Sequence, residues 1–337
     1  MKLINSIVLL AGAIMIPLRG QADVHDHFSR ALAALPAEIF QSREPAAFVN
    51  LHALSTVFGT TDFTAAQAQR AVVGLESSAL RAMGTADSKN FEAKAGFAPY
   101  EVEFFGLYGQ RPEEAVIWGG PRGFPQEVAA RLPEIGFKTL DEAQDLFANG
   151  DLGVFNPASI DPENPWVGPT GTASIVKVAP TIVYQASSAK ALMRATAQPS
   201  ALDTPDGQAF VRIMPTEDSY LMQAFLFSAD FGRAVGEGIN GSSVVYRAGV
   251  LADLQSPDGP VTLLALSYDS CGEAEKALQV PWPQEPTGLR RTTAQSGDTC
   301  LALWQATGGE GVAENTSFLT AMEGMITRAF APVALSQ

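Results

Sequence analysis

The chain has 337 residues, of which 46% are apolar and only 17% charged, so it has the material for one large hydrophobic core or two smaller ones. Its 36 acidic residues outnumber 22 basic ones and give a formal charge of −14. That balance disfavours nucleic acid and anionic membrane surfaces as partners, because both are bound through Lys and Arg.

Residues 1–22, "MKLINSIVLLAGAIMIPLRGQA", have the three-part layout of a secretory leader. Lys2 is the positive start, Ile7 to Leu18 the apolar run, and Gly20-Gln21-Ala22 the small-residue cleavage signal. The run covers about 18 Å at 1.5 Å per residue, short of the roughly 30 Å hydrocarbon core, so retention as an anchor is the poorer alternative. Cleavage after Ala22 is expected, with no stable membrane anchor thereafter and a periplasmic or secreted location. Losing Lys2 and Arg19 takes the charge from −14 to −16.

Residues 23–35 then read as a flexible mature N-terminus. A chain beginning Asp23-Val24-His25 offers an α-amine, two backbone amides and an imidazole as a square-planar four-nitrogen set for Cu(II) or Ni(II), with His27 as a fifth ligand.

Segment 46–59, "AAFVNLHALSTVFG", reads as a strand carrying His52 and ending at Gly59. Residues 64–84 have helical spacing, 98–109 suit a short helix, 113–120 a strand, and 124–137 a helix with Pro125 in its first turn. The Asn/Asp/Pro-rich stretch 156–171 is loop, 172–185 two strands hinged at Pro180, and 187–197 a Ser-capped helix. Residues 218–232 fit a helix or a buried strand. Segments 242–255 and 260–270 pair across "SPDG", 271–280 is a helix, and "GLRRTTAQ" and "DTCLALWQA" are further strands. Residues 315–330 close the chain as an amphipathic helix whose Met322, Met325 and Ile326 make core contacts.

Strand–short loop–helix units recur in both halves, "AVIWGGPRGFPQEVAARL" and "LLALSYDSCGEAEKAL". The expected fold is therefore α+β: two related modules, 36–200 and 215–332, of antiparallel or mixed sheet covered by helices, ferredoxin-like in flavour, with one continuous sheet as the alternative. The stretch "AGFAPYEVEFFGLYGQRPEEAVIWGGPRGFPQEVAARLPEIGF" and the unit "VYRAGVLADLQSPDGPVTLLALSYDSCGEAEKAL" resemble patterns found in exported bacterial proteins of unknown function. The resemblance covers about half the chain and rests on structural residues. It implies an α+β build and export, and no activity.

The two cysteines, Cys271 and Cys300, are expected to form a structural disulfide, as an even pair in an exported chain does. Catalytic equipment is sparse. There is no G-x-S-x-G elbow, no P-loop lysine in "GPTGTAS", no H-E-x-x-H and no twelve-residue Ca²⁺ loop. Trp166 and Trp282 lie in Pro-rich loops, where an exposed ring would be a ligand or partner contact. The leading expectation is a non-enzymatic exported protein that binds a small ligand or another protein in the cell envelope. The alternatives are a hydrolase built on carboxylates such as those of "YEVEF" and "RPEEA", and Cu(II)/Ni(II) handling through Asp23, His25 and His27.

Overall fold

The computed structural model describes residues 23–71, 77–110, 113–168, 170–214, 218–236, 242–282, 284–286 and 288–335. The expected leader, 1–22, lies outside them. Helix α1 (Asp23–Ala34) occupies the stretch expected to be flexible. A buried face orders it: Phe28, Ala31 and Leu32, spaced along one side, are at most 1% exposed. Segment 46–59 is not one strand. Strand β1 (Ala46–Asn50) ends where the Asn50 side chain accepts a 2.9 Å hydrogen bond from the Ala53 amide. That cap starts α2 (Leu51–Phe58), which Gly59 closes at φ 66°, so His52 sits on a helix.

Helices α3 (Ala65–Ala71), α4 (Ser78–Thr85) and α5 (Ser88–Ala95) follow. Residues 98–109, expected as a helix, make one 3-10 turn and then β2 (Phe104–Tyr108), whose successive side chains are buried on opposite faces of a sheet. Strand β3 (Ala115–Gly119) and α6 (Phe124–Arg131) lead to four short strands: β4 (Lys138–Asp141), β5 (Leu146–Ala148), β6 (Ile175–Val178) and β7 (Ile182–Ala186). Helices α7 (Ala189–Ala195) and α8 (Pro205–Ile213) come next. Residues 218–232 resolve into a strand, β8 (Tyr220–Ser228), and a helix, α9 (Ala229–Val235). The chain continues through β9 (Ala248–Ser256), β10 (Gly259–Tyr268), α10 (Cys271–Ala277), β11 (Arg290–Ser296), β12 (Thr299–Thr307) and α11 (Thr316–Ile326).

The fold is α+β with one sheet of twelve strands in the order β11-β12-β10-β9-β8-β1-β2-β3-β7-β6-β5-β4. Every adjacent pair is antiparallel. The strands of 36–200 and 215–332 form its two halves, which join edge to edge where β1 pairs with β8. Each half repeats one path. Three strands run outward from the seam, a helix (α6 or α10) crosses to the far edge, and the remaining strands return inward. The ferredoxin-like element order is there, but the strand order is not. A split βαβ unit leaves room for a strand between its flanking strands, whereas β1 and β2, like β8 and β9, pair directly.

Alternation along the strands divides the core by face. On one face a single cluster runs under both halves, from Ile117 and Phe48 to Leu226 and Leu301, covered by Phe28 of α1, Leu192 of α7 and Phe210 of α8. On the other face the core is split. Helices α2 to α6 cover β1–β3 and β7, while α9 to α11 cover β8–β10 and β12.

Cys271 opens α10 and is bonded to Cys300 on β12, with their Cα atoms 5.0 Å apart. Chain-entropy reasoning for a separation of 29 residues assigns the bridge about 3.6 kcal/mol. Replacing both cysteines with serine is expected to lower the free energy of unfolding by that amount, read from urea titration, without changing the far-UV spectrum.

Candidate groove at the seam between the two halves

On the split face the two helical covers meet over β1 and β8, which pair Val49 with Gln223 and Ala47 with Phe225. The two ends of this seam differ in chemistry.

At the Gln223 end lies a buried polar clamp beside a cavity of about 200 Å³. Arg70 of α3 is 3% exposed and Asp253 of β9 is fully buried. Arg70 meets Asp253 through both carboxylate oxygens, Nε to Oδ2 at 3.1 Å and Nη2 to Oδ1 at 2.9 Å, and donates to Gln255 Oε1 at 2.6 Å. Gln223 donates to Oδ2 at 3.2 Å and Asn315, the cap of α11, to Oδ1 at 2.7 Å. A bulge in β8 between Leu221 and Gln223 turns Met222 and Gln223 to the same face, which is how Gln223 reaches the clamp. Four donors fill the four lone-pair sites of the Asp253 carboxylate, leaving it none with which to take a substrate proton. The clamp is structural. Its sequence signal is polar residues inside apolar strands, Gln223 in "LMQAF" and Asp253 and Gln255 in "LADLQ".

At the Ala47 end the seam is open. A groove of about 680 Å³ runs between α9, α11 and the sheet, walled by Ala47, Leu107, Phe225, Val235, Met322 and Met325. Ala47 and Phe225, register partners across the seam, both line it, and the small alanine side chain takes up little of the space there. Met322 and Met325 lie in the core as expected, whereas Ile326 is 65% exposed on the groove's rim.

The histidines are placed as follows. Asp23, Val24 and His25 form the first turn of α1, so a four-nitrogen set that includes the amides of 24 and 25 would have to unwind it. His27 is not at hand as a fifth ligand: it is 3% exposed, and its Nε2 lies 3.5 Å from Glu103 Oε2. The His27 ring meets that of His52 edge-on at 5.6 Å, so helices on opposite faces of the sheet touch around the strand ends. Arg30 donates to Glu103 at 2.7 Å and lies 5.2 Å over the Phe104 ring. That ring lies across Gly119, where a Cβ would come within 2.1 Å of it.

Burial alone would raise the Glu103 carboxyl, but hydrogen bonds from His27 and Arg30, with their charges, outweigh it and bring the carboxyl down to about 2. Because the folded value is below the unfolded value of about 4.5, the stabilisation is complete above 4.5 and is lost as pH falls toward 2. Glu103→Gln is expected to flatten the fall of the urea midpoint with pH across that window. An unchanged slope would show that Glu103 is not tied to His27 and Arg30 in solution.

The carboxylates of "YEVEF" and "RPEEA" do not converge. Glu103 precedes β2, and Glu113 follows it and accepts a hydrogen bond from Lys190 at 2.8 Å. Glu113 lies beside Gln110, seven residues along the strand direction from Glu103, which sets the two about 23 Å apart, beyond the roughly 5–10 Å of a glycosidase pair. Asp161, Asp203 and Glu285, like Glu103, titrate below their usual range, the direction of a hydrogen-bonded acid rather than a general acid.

The two loop tryptophans are not surface anchors. Trp166 is 1% exposed, packs edge-on against Phe97 and Phe137, and donates to Ala95 O at 2.9 Å. Trp282 is 3% exposed, with its ring 4.8 Å from that of Phe330.

No family model and no curated protein matches the chain. Among solved structures it is similar to three crystal forms of TP0453. Identities are 9–11% and TM-scores 0.36–0.37, over 86–88% of this chain and 94–96% of that one. A likeness that shallow leaves fold and function to be argued from this chain's own residues.

Proposed function

We propose that this is an exported, non-enzymatic protein of the cell envelope that binds an apolar ligand in the seam groove. The observation that carries the reading is the groove itself. Its size falls in the range of small-molecule sites, and its walls are aliphatic, aromatic and thioether side chains. The formed disulfide supports an oxidising compartment, and among the described residues no helix is long and apolar enough to cross a membrane.

The test is titration with N-phenyl-1-naphthylamine, a neutral dye that fluoresces in apolar surroundings. Saturable binding is expected. Ile326→Glu, at an exposed rim position, is expected to weaken it about three- to tenfold by placing a charge beside the apolar wall, while leaving thermal unfolding unchanged. Absence of saturable binding, or binding indifferent to Ile326→Glu, would remove the groove from consideration.

A further inference from the structure

We infer that the groove takes an anionic amphiphile, a single apolar chain ending in a carboxylate or phosphate, with Arg43 as the residue that holds its head. This rests on the groove reading above and adds the ligand's charge to it.

The charged residues that line the groove are Arg43, Arg328 and Glu114. Cations are in the majority there, although the chain as a whole carries −14. Glu114 and Arg328 each already have an interaction of their own. Arg43 is exposed and makes no ion pair or side-chain hydrogen bond among the described residues. Its neighbour in sequence, Glu44, is held by Arg194 at 2.7 Å and 3.3 Å and is turned away from it by that pairing. Arg194 in turn gathers Glu38, and Lys190 takes Glu113, so the local acids are matched to other cations. Arg43 is left at the groove as a fork of N–H donors suited to a carboxylate or phosphate.

The apolar wall says what should follow the head. Ala47, Leu107 and Phe225 form a floor on the sheet, and Met322 and Met325 form the α11 side. Unbranched thioether side chains re-pack easily around a flexible chain. A folded protein partner would need about 800 Å² of matching surface, whereas this site is one bounded groove. A neutral apolar molecule would leave Arg43 without a role.

The experiment compares a fluorescent fatty acid, dansyl-undecanoic acid, with its methyl ester, in wild type and Arg43→Gln. Wild type is expected to bind the acid about three- to tenfold more tightly than the ester, and more nearly equally at high salt. Arg43→Gln should bind both alike, with ester affinity unchanged. Displacement of the bound acid by dodecanoate or by dodecyl phosphate then tells which head group is preferred. Equal affinity of wild type for acid and ester, or a preference that survives Arg43→Gln, overturns the inference and leaves the groove reading standing. If neither compound binds, both fall together.

Discussion

Replacing Arg70 with leucine is expected to lower the free energy of unfolding by about 3–5 kcal/mol, read as a shift of the urea midpoint at pH 7. The cost comes less from the lost bonds than from what remains. Asp253 is fully buried, and without the guanidinium its carboxylate keeps only the amide donors of Gln223 and Asn315. The double variant Arg70→Leu with Asp253→Leu removes both charges and is expected to recover most of the loss, as apolar replacement of buried ion pairs does. A single-variant cost under about 1 kcal/mol would mean that water reaches the clamp in solution.

Trp166→Ala is expected to cost a similar amount, about 3–5 kcal/mol, by opening a cavity among Phe97, Trp118 and Phe137. Trp166→Phe keeps most of the packing, leaves Ala95 O without its donor, and should cost about 1–2 kcal/mol. The pair separates two roles for this side chain. A loop tryptophan that served as a ligand contact would, when removed, abolish binding and leave the urea midpoint in place. The expected result is the reverse, because the loop is anchored from beneath: the Trp166 carbonyl also accepts hydrogen bonds from Asn149 at 3.1 Å and Ser174 at 2.7 Å.

The strands with period-two alternation or β-branched runs were readable in advance, as were the Ser-capped helix at α7 and the cysteine pair. The misread elements share a cause. In 46–59 a single buried Asn changes the period from two to 3.6 halfway along an apolar run, and side-chain capping at Asn50 outweighs the β propensity of its neighbours. In 98–109 the helical spacing is that of a single turn before a strand whose both faces are covered, and a two-sided strand loses its alternation. Trp166 looked exposed because its loop is rich in Pro, Asn and Asp; what buries it is Phe97 and Phe137, distant partners that no local window contains.

The candidate site was legible only in fragments. Met322 and Met325 stood out as an apolar stripe, but the groove depends on Ala47 and Phe225 meeting across a pairing 178 residues apart in the chain. Arg43 had no local feature to mark it. Its significance comes from Glu44 being drawn to Arg194, a contact between positions 150 residues apart.

The seam has a consequence for the order in which the molecule is made. The chain emerges into its folding compartment N-terminus first, so β1 is present early and β8, its seam partner, arrives only after residue 220. Until then the nascent first half ends in an open strand edge flanked by Ala46, Phe48 and Val49, residues that are all buried once the partner arrives. An unpaired apolar edge of that kind recruits whatever strand is nearest, including the same edge on another nascent chain. Between the emergence of residues 50 and 228, therefore, that edge is open to misassembly, and a holding chaperone would have it to protect.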